Sequence, residues 1–242
     1  MTARRVAPLL LAGLAVPAGA AALLASASAA PVPAPERGVA VVLEPVSGKV
    51  YVHPGGVRLY RRLRTAERLP VGTTVDAQEG SVRLTVARND RGGRWRAVFS
   101  QGKFTVTQPA EGDPVTTLEL TGPSFRDTCG EAAAARRKPR RVRRLWGDGH
   151  GRFRTAGRYS AATVRGTSWL VEDRCDGTLT RVKRGQVEIE DFTEEPPEPA
   201  PTPDTGGGEQ PPPATAPPEP AGGESARVVV LGGGSYVARP GP

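Results

Sequence analysis

Ser81-Val82-Arg83-Leu84-Thr85-Val86 alternates apolar and polar residues, and Arg96-Ala97-Val98-Phe99-Ser100-Gln101-Gly102-Lys103-Phe104-Thr105-Val106 follows it. A period of two places every second side chain on one face, so the first stretch predicts a half-buried strand. The second predicts two strands joined as a hairpin at the Ser100-Gln101-Gly102 turn. The pattern continues in both directions. Upstream lie Val39 to Leu43 and Lys49-Val50-Tyr51-Val52, the latter closed by His53-Pro54-Gly55-Gly56. Downstream lies Thr117-Leu118-Glu119-Leu120, closed by Gly122-Pro123. Short strands with Gly and Pro punctuation predict an all-β sandwich or barrel.

The chain then changes character. Arg136, Arg137, Lys138, Arg140, Arg141, Arg143 and Arg144 place seven cations in nine residues. Alanines in 131–138 favour two helical turns there, which Pro139 would end. Leu145 to Gly151 is glycine-rich and reads as a turn segment carrying Trp146. Strands resume over Tyr159 to Val164 and Thr167 to Val171. Thr178 to Arg184 and Gln186 to Phe192 read as a second hairpin about Gly185. Val187 and Ile189 face one side of its second strand, and Gln186, Glu188 and Glu190 the solvated side. Both halves run Gly-Thr, strand, strand, Gly, strand, which suggests an internal duplication.

From Asp191 to Ala226 there are eight acids and no base. This Pro-, Gly- and Glu-rich stretch buries too little apolar surface to offset its ordering entropy, and is expected to be disordered. Arg227 to Leu231 reads as a strand that continues, after Gly232-Gly233-Gly234, through Ser235 to Ala238. A strand so late needs a partner, and the preceding β-domain is the nearest one.

The N-terminus indicates the compartment. Arg4-Arg5, an apolar run from Val6 to about Leu24, and Ala27-Ser28-Ala29 have the layout of a cleaved secretory signal. Gly13, Pro17 and Gly19 weaken the alternative, a retained membrane anchor. The arginine pair raises a twin-arginine route, although its surroundings fit that motif poorly. About 210 residues follow Ala30, and losing two arginines lowers the net charge from +8 to about +6. In an exported chain the only two cysteines, Cys129 and Cys175, read first as one disulfide, with two buried thiols as the alternative.

Ala162 to Val171, which contains Val164-Arg165-Gly166-Thr167, resembles the core of the FecR-like domain, as does Gly177 to Ile189. That family's pattern is a VRGT strand, an acidic turn, and then V-x-x-G-x-V-x-V. Val229 to Val237 is similar to its closing strand, and Gly48-Lys49-Val50 with Leu69-Pro70-Val71-Gly72-Thr73 to its beginning. Arg144 to Gly151 also looks like exported actinobacterial members. The resemblance covers roughly 39–240, with interruptions at 123–145 and 194–226. It implies an extracytoplasmic β-rich domain, which in signalling members lies beyond a membrane helix and regulates a sigma factor. The cytoplasmic domain and the membrane helix of that plan are not expected from this sequence. The expectation is therefore a FecR-like β-sandwich or barrel-like domain, exported to the medium or the cell envelope. Its expected divisions are a signal peptide (1–30), a linker (31–38), a first β-rich half (39–122) and a basic insert (123–145). A FecR-like core (146–193), an acidic segment (194–226), and a closing strand and tail (227–242) complete them.

The search for chemistry is sparse. His53 and His150 show no metal-ligand spacing. No metal or cofactor is expected. Asp148 and His150 would have to orient a serine such as Ser160 for a secreted hydrolase, without the usual nucleophile elbow. Asp173 and Asp176 read as a solvated turn, and Trp146 and Trp169 as core. The expected role is non-catalytic: binding, sensing or supporting the envelope. The cations from Arg136 to Arg144 are the expected surface for an envelope protein or anionic envelope polymer. Export and the lack of interleaved aromatics argue against nucleic acid.

Overall fold

A computed structural model describes residues 34–57, 59–130, 139–193 and 226–240. The expected signal segment, the helical turns expected over 131–138 and the acidic segment 194–225 lie outside the described residues. In chain order the elements are β1 (Ala40–His53), β2 (Arg61–Arg62), β3 (Glu67–Pro70), β4 (Thr74–Ala87), β5 (Arg94–Ser100), β6 (Lys103–Thr107) and β7 (Thr116–Leu120). They continue with α1 (Phe125–Thr128), β8 (Arg141–Ala156), β9 (Ser160–Arg174), β10 (Gly177–Arg184), β11 (Gln186–Asp191), β12 (Ala226–Leu231) and β13 (Ser235–Ala238).

The fold is all-β and contains a closed five-stranded barrel. β4 pairs with β5, β5 with β8, β8 with β7, β7 with β6, and β6 again with β4. The β7–β8 ladder is parallel and the other four are antiparallel. The remaining strands extend from this ring. β1 takes the other edge of β4, and β9 the other edge of β8.

Alternation supplies the core. Val82, Leu84 and Val86 of β4 are buried, as are Phe99, Phe104, Leu118 and Phe153. The Phe99 ring lies 5.5 Å from Phe104, 5.6 Å from Phe153 and 5.9 Å from Trp169, centroid to centroid. Three of these rings come from barrel strands and Trp169 from β9, so the aromatic cluster fastens β9 to the barrel. Tilted and edge-on ring pairs of this kind add to the burial term.

Both expected hairpins are bent strands instead. β5 and β6 share no ladder; they lie end to end along one edge of β4. At the joint, Gln101 N–H donates to Ala77 O and Ala77 N–H to Gly102 O, each at 2.9 Å. Gln101 has φ 64°, and a Cβ on Gly102 would sit 2.0 Å from Arg144 O. The same arrangement recurs at Gly185, where β10 and β11 lie end to end along β9. A glycine between two strand patterns can mark a kink in one strand as well as a turn, and here the partner strand decides.

The glycine-rich stretch from Leu145 to Gly151 is not a turn either. It lies within β8, and glycine is needed there for close approach. A Cβ on Gly147 would meet the Trp169 ring at 2.5 Å, and one on Gly149 would meet Ala97 Cα at 2.4 Å.

The last two strands return to the domain. β12 pairs with β11, and β13 with β10. The two halves then share a plan: a long strand pair (β1 with β4, β8 with β9), a bent strand along its second member, and strands outside that. β8 belongs to both halves, closing the first against β5 and opening the second against β9.

Candidate anion-binding site

Halfway along β8 the register with β9 shifts between His150 and Phe153. β8 pairs with β5 before this point and with β7 after it. Gly151, at φ 134°, allows the break. The irregularity opens two adjoining depressions on the outer sheet face. One, of about 380 Å³, is lined by Arg88, Trp95, His150, Gly151, Arg152 and Arg165. The other, of about 530 Å³, shares Arg152 and Arg165 and adds Thr163, Gly166, Gln186, Glu188 and Val229. Arg88 follows the end of β4, Arg152 sits at the β8 shift, and Arg165 is in the middle of β9.

The charge is lopsided. Arg152 bonds Asp113, and its Nε is buried without a partner. Glu188 lies 3.7 Å from Arg227. Arg88 and Arg165 are exposed and have no ion pair among the described residues. Exposed guanidiniums on a strand and at a strand end suit a carboxylate or phosphate, which their planar forks match in geometry. The cationic surface extends across the sheet. Thr85, Arg96, His150 and Gly166 lie side by side on β4, β5, β8 and β9. Beyond them a third depression, of about 330 Å³, is lined in part by Arg94, Arg96 and Arg83, the last paired with Glu44 of the same lining at 2.7 Å. Neighbouring strands are spaced by about 4.8 Å, so this row spans about 14 Å.

The cationic run singled out in the sequence is divided by the fold. Arg136, Arg137 and Lys138 lie outside the described residues. Arg140 and Arg141 are exposed, and Arg144 is half-buried opposite Glu172. Arg143 is engaged internally: its Nε donates to Asp173 Oδ2 at 3.1 Å, its Nη1 to Leu120 O at 2.9 Å, and its guanidinium stacks on Phe125. Asp173 is fully buried, so the solvated turn expected at Asp173 and Asp176 is corrected there. Asp176 pairs with Arg174. Trp169 is core, whereas Trp146 is half-buried on the outer face.

Cys129 and Cys175 form a disulfide, with Cα atoms 5.4 Å apart. It ties the end of α1 to the turn between β9 and β10. Asp148 and His150 share one face of β8, but Asp148 is bound to Arg184. Ser160 is fully buried and pairs with Asp191, about 20 Å along β9 from the Gly166 opposite His150. The structure does not bring this serine to the histidine.

Sequence reasoning missed Arg88, Arg152 and Arg165 as a group. They are far apart in the chain, and only strand register joins them. Arg165 alone was conspicuous, within Val164-Arg165-Gly166-Thr167.

No family model, curated protein or solved structure matches this chain. Among the described residues, no helix is long and apolar enough to cross a membrane.

Proposed function

We propose that this chain is an exported, non-catalytic binding module of the FecR-like type, whose cationic cleft takes an anionic polymer of the cell envelope. The observation that carries the reading is the cleft at the β8 shift, where exposed Arg88 and Arg165, without ion pairs among the described residues, flank Arg152. The row through Arg96 extends it beyond the size of a single small anion, which favours a chain of repeated carboxylates or phosphates. The segments resembling the FecR-like core fall on β9, β10 and β11, and of these β9 and β11 line the cleft. Electrostatic contacts of this sort are screened by salt, with a Debye length of about 8 Å at physiological ionic strength.

The test is retention of the purified protein on isolated cell-wall material, before and after its anionic polymer is extracted. Retention is expected to fall with added salt, to fall on the extracted wall, and to weaken about tenfold in the Arg88→Ala/Arg165→Ala double variant, at somewhat under 1 kcal/mol per contact. Retention indifferent to salt, extraction and both substitutions refutes the reading.

A further inference from the structure

We propose a second site: the tip between β1 and β2 docks on an anionic lipid surface. At this tip Val57 is 49% exposed, Leu59 76% and Tyr60 42%. Single exposed apolar residues are ordinary, but three in four positions on one tip form a patch. Fraying does not account for it. Leu63 is buried and its N–H donates to Val50 O at 2.9 Å, while Tyr51 and Val52 pair with Arg62 and Arg61. The Tyr60 ring stacks on His53 at 4.9 Å and lies under Lys103 Nζ at 4.1 Å. The apolar tip is thus held outward by an ordered base.

The base is cationic. Arg62 and Arg64 are exposed and have no ion pair among the described residues. Lys103 adds a third charge. Arg61 is engaged by Glu67 through two hydrogen bonds of 3.0 and 2.6 Å. Further acids are Asp76, opposite Lys103 in the ladder, and Glu119, opposite Thr105. An apolar tip above a base of three cations matches the edge of an anionic bilayer: the side chains enter the headgroup boundary by about 5–10 Å, and the cations meet lipid phosphates. A protein partner fits less well, because three side chains fall far short of the roughly 800 Å² per partner of a stable interface. The tip also lies at the opposite end of β4 from Arg88, since His53 pairs with Thr74. A membrane-bound tip would therefore hold the cleft away from the lipid.

The experiment uses the full chain, labelled with an environment-sensitive fluorophore at Leu59→Cys or, as a control at the far end of β4, at Arg91→Cys. Vesicles are pure phosphatidylcholine or an equal mixture with phosphatidylglycerol. The tip label is expected to shift to the blue with the anionic vesicles only, and the control label not at all. Adding Arg62→Ala/Arg64→Ala is expected to weaken the titration about thirtyfold, while Arg88→Ala/Arg165→Ala leaves it unchanged. Attachment through the apolar segment near the N-terminus alone would leave the tip label unshifted, and that result overturns the proposal. Equal shifts at both labels, or with both vesicle types, overturn it as well.

Discussion

Replacing Asp173 by alanine is expected to be among the most damaging single changes to the domain. Asp173 is fully buried and its carboxylate is satisfied on all sides. Oδ1 accepts from Arg158 N–H at 2.9 Å and from Thr178 Oγ1 at 2.7 Å. Oδ2 accepts from Arg143 Nε at 3.1 Å, and Arg143 Nη2 lies 2.9 Å away. Arg143 is only 20% exposed, so removing the carboxylate strands a largely desolvated cation. Breaking one side of a buried pair costs about 3–5 kcal/mol. For a domain of this size each kcal/mol moves the midpoint by about 2–4 °C, so 4 kcal/mol predicts a fall of about 8–16 °C. Thermal and urea unfolding followed by circular dichroism measure it. The mechanism makes a second demand. If the cost comes from the orphaned charge, Arg143→Met with Asp173→Leu should lose much less than the sum of the single variants, with coupling of about 2 kcal/mol or more. A loss below 1 kcal/mol for Asp173→Ala, or additive single losses, would show that the pair does not matter as argued.

Two further outcomes follow from the packing. The disulfide spans 46 positions, and the chain-entropy model assigns such a loop about 4 kcal/mol; Cys129→Ser/Cys175→Ser should lower the urea midpoint accordingly while the folded far-ultraviolet spectrum is retained. Gly147→Ala should cost about 1–3 kcal/mol by overpacking and change tryptophan emission, because the added methyl meets the Trp169 ring at 2.5 Å; unchanged stability and emission would contradict the stated contact.

What the sequence revealed, and what it hid, has a common physical basis. Alternation is local, so the strand character of Ser81 to Val86, the inward Val187 and Ile189, and the late strands around Gly232-Gly233-Gly234 could all be read directly. Pairing is not local. Gly102 and Gly185 looked like hairpin turns because a kink in one strand and a turn between two leave the same trace in a single chain. Only the continuous edges of β4 and β9 distinguish them. Gly147 and Gly149 looked like loop residues because nothing nearby in the chain announces Trp169 or Ala97 as the atoms they must clear. Asp173 reads as solvated because Arg143, its counter-ion, lies across a ladder and belongs in sequence to a cationic run. The cleft was hidden in the same way, as Arg88, Arg152 and Arg165 become neighbours only through register.

The place of the cleft follows from the way β8 closes the barrel. To close the barrel β8 must leave β5 and take β7 along one edge, and it does so between His150 and Phe153. Its partner on one edge changes there from β5 to β7, while β9 runs along the other edge through a register shift. A regular sheet face offers no concavity, and the shift supplies one. The first half contributes Arg88 and Trp95, the second contributes Thr163 and Arg165, and the shared strand contributes Arg152. Binding sites favour such junctions because side chains from separate units converge there without disturbing either core. The two halves need not be alike in their charges for this to work. They need only share β8, whose passage from β5 to β7 is where the arginines meet.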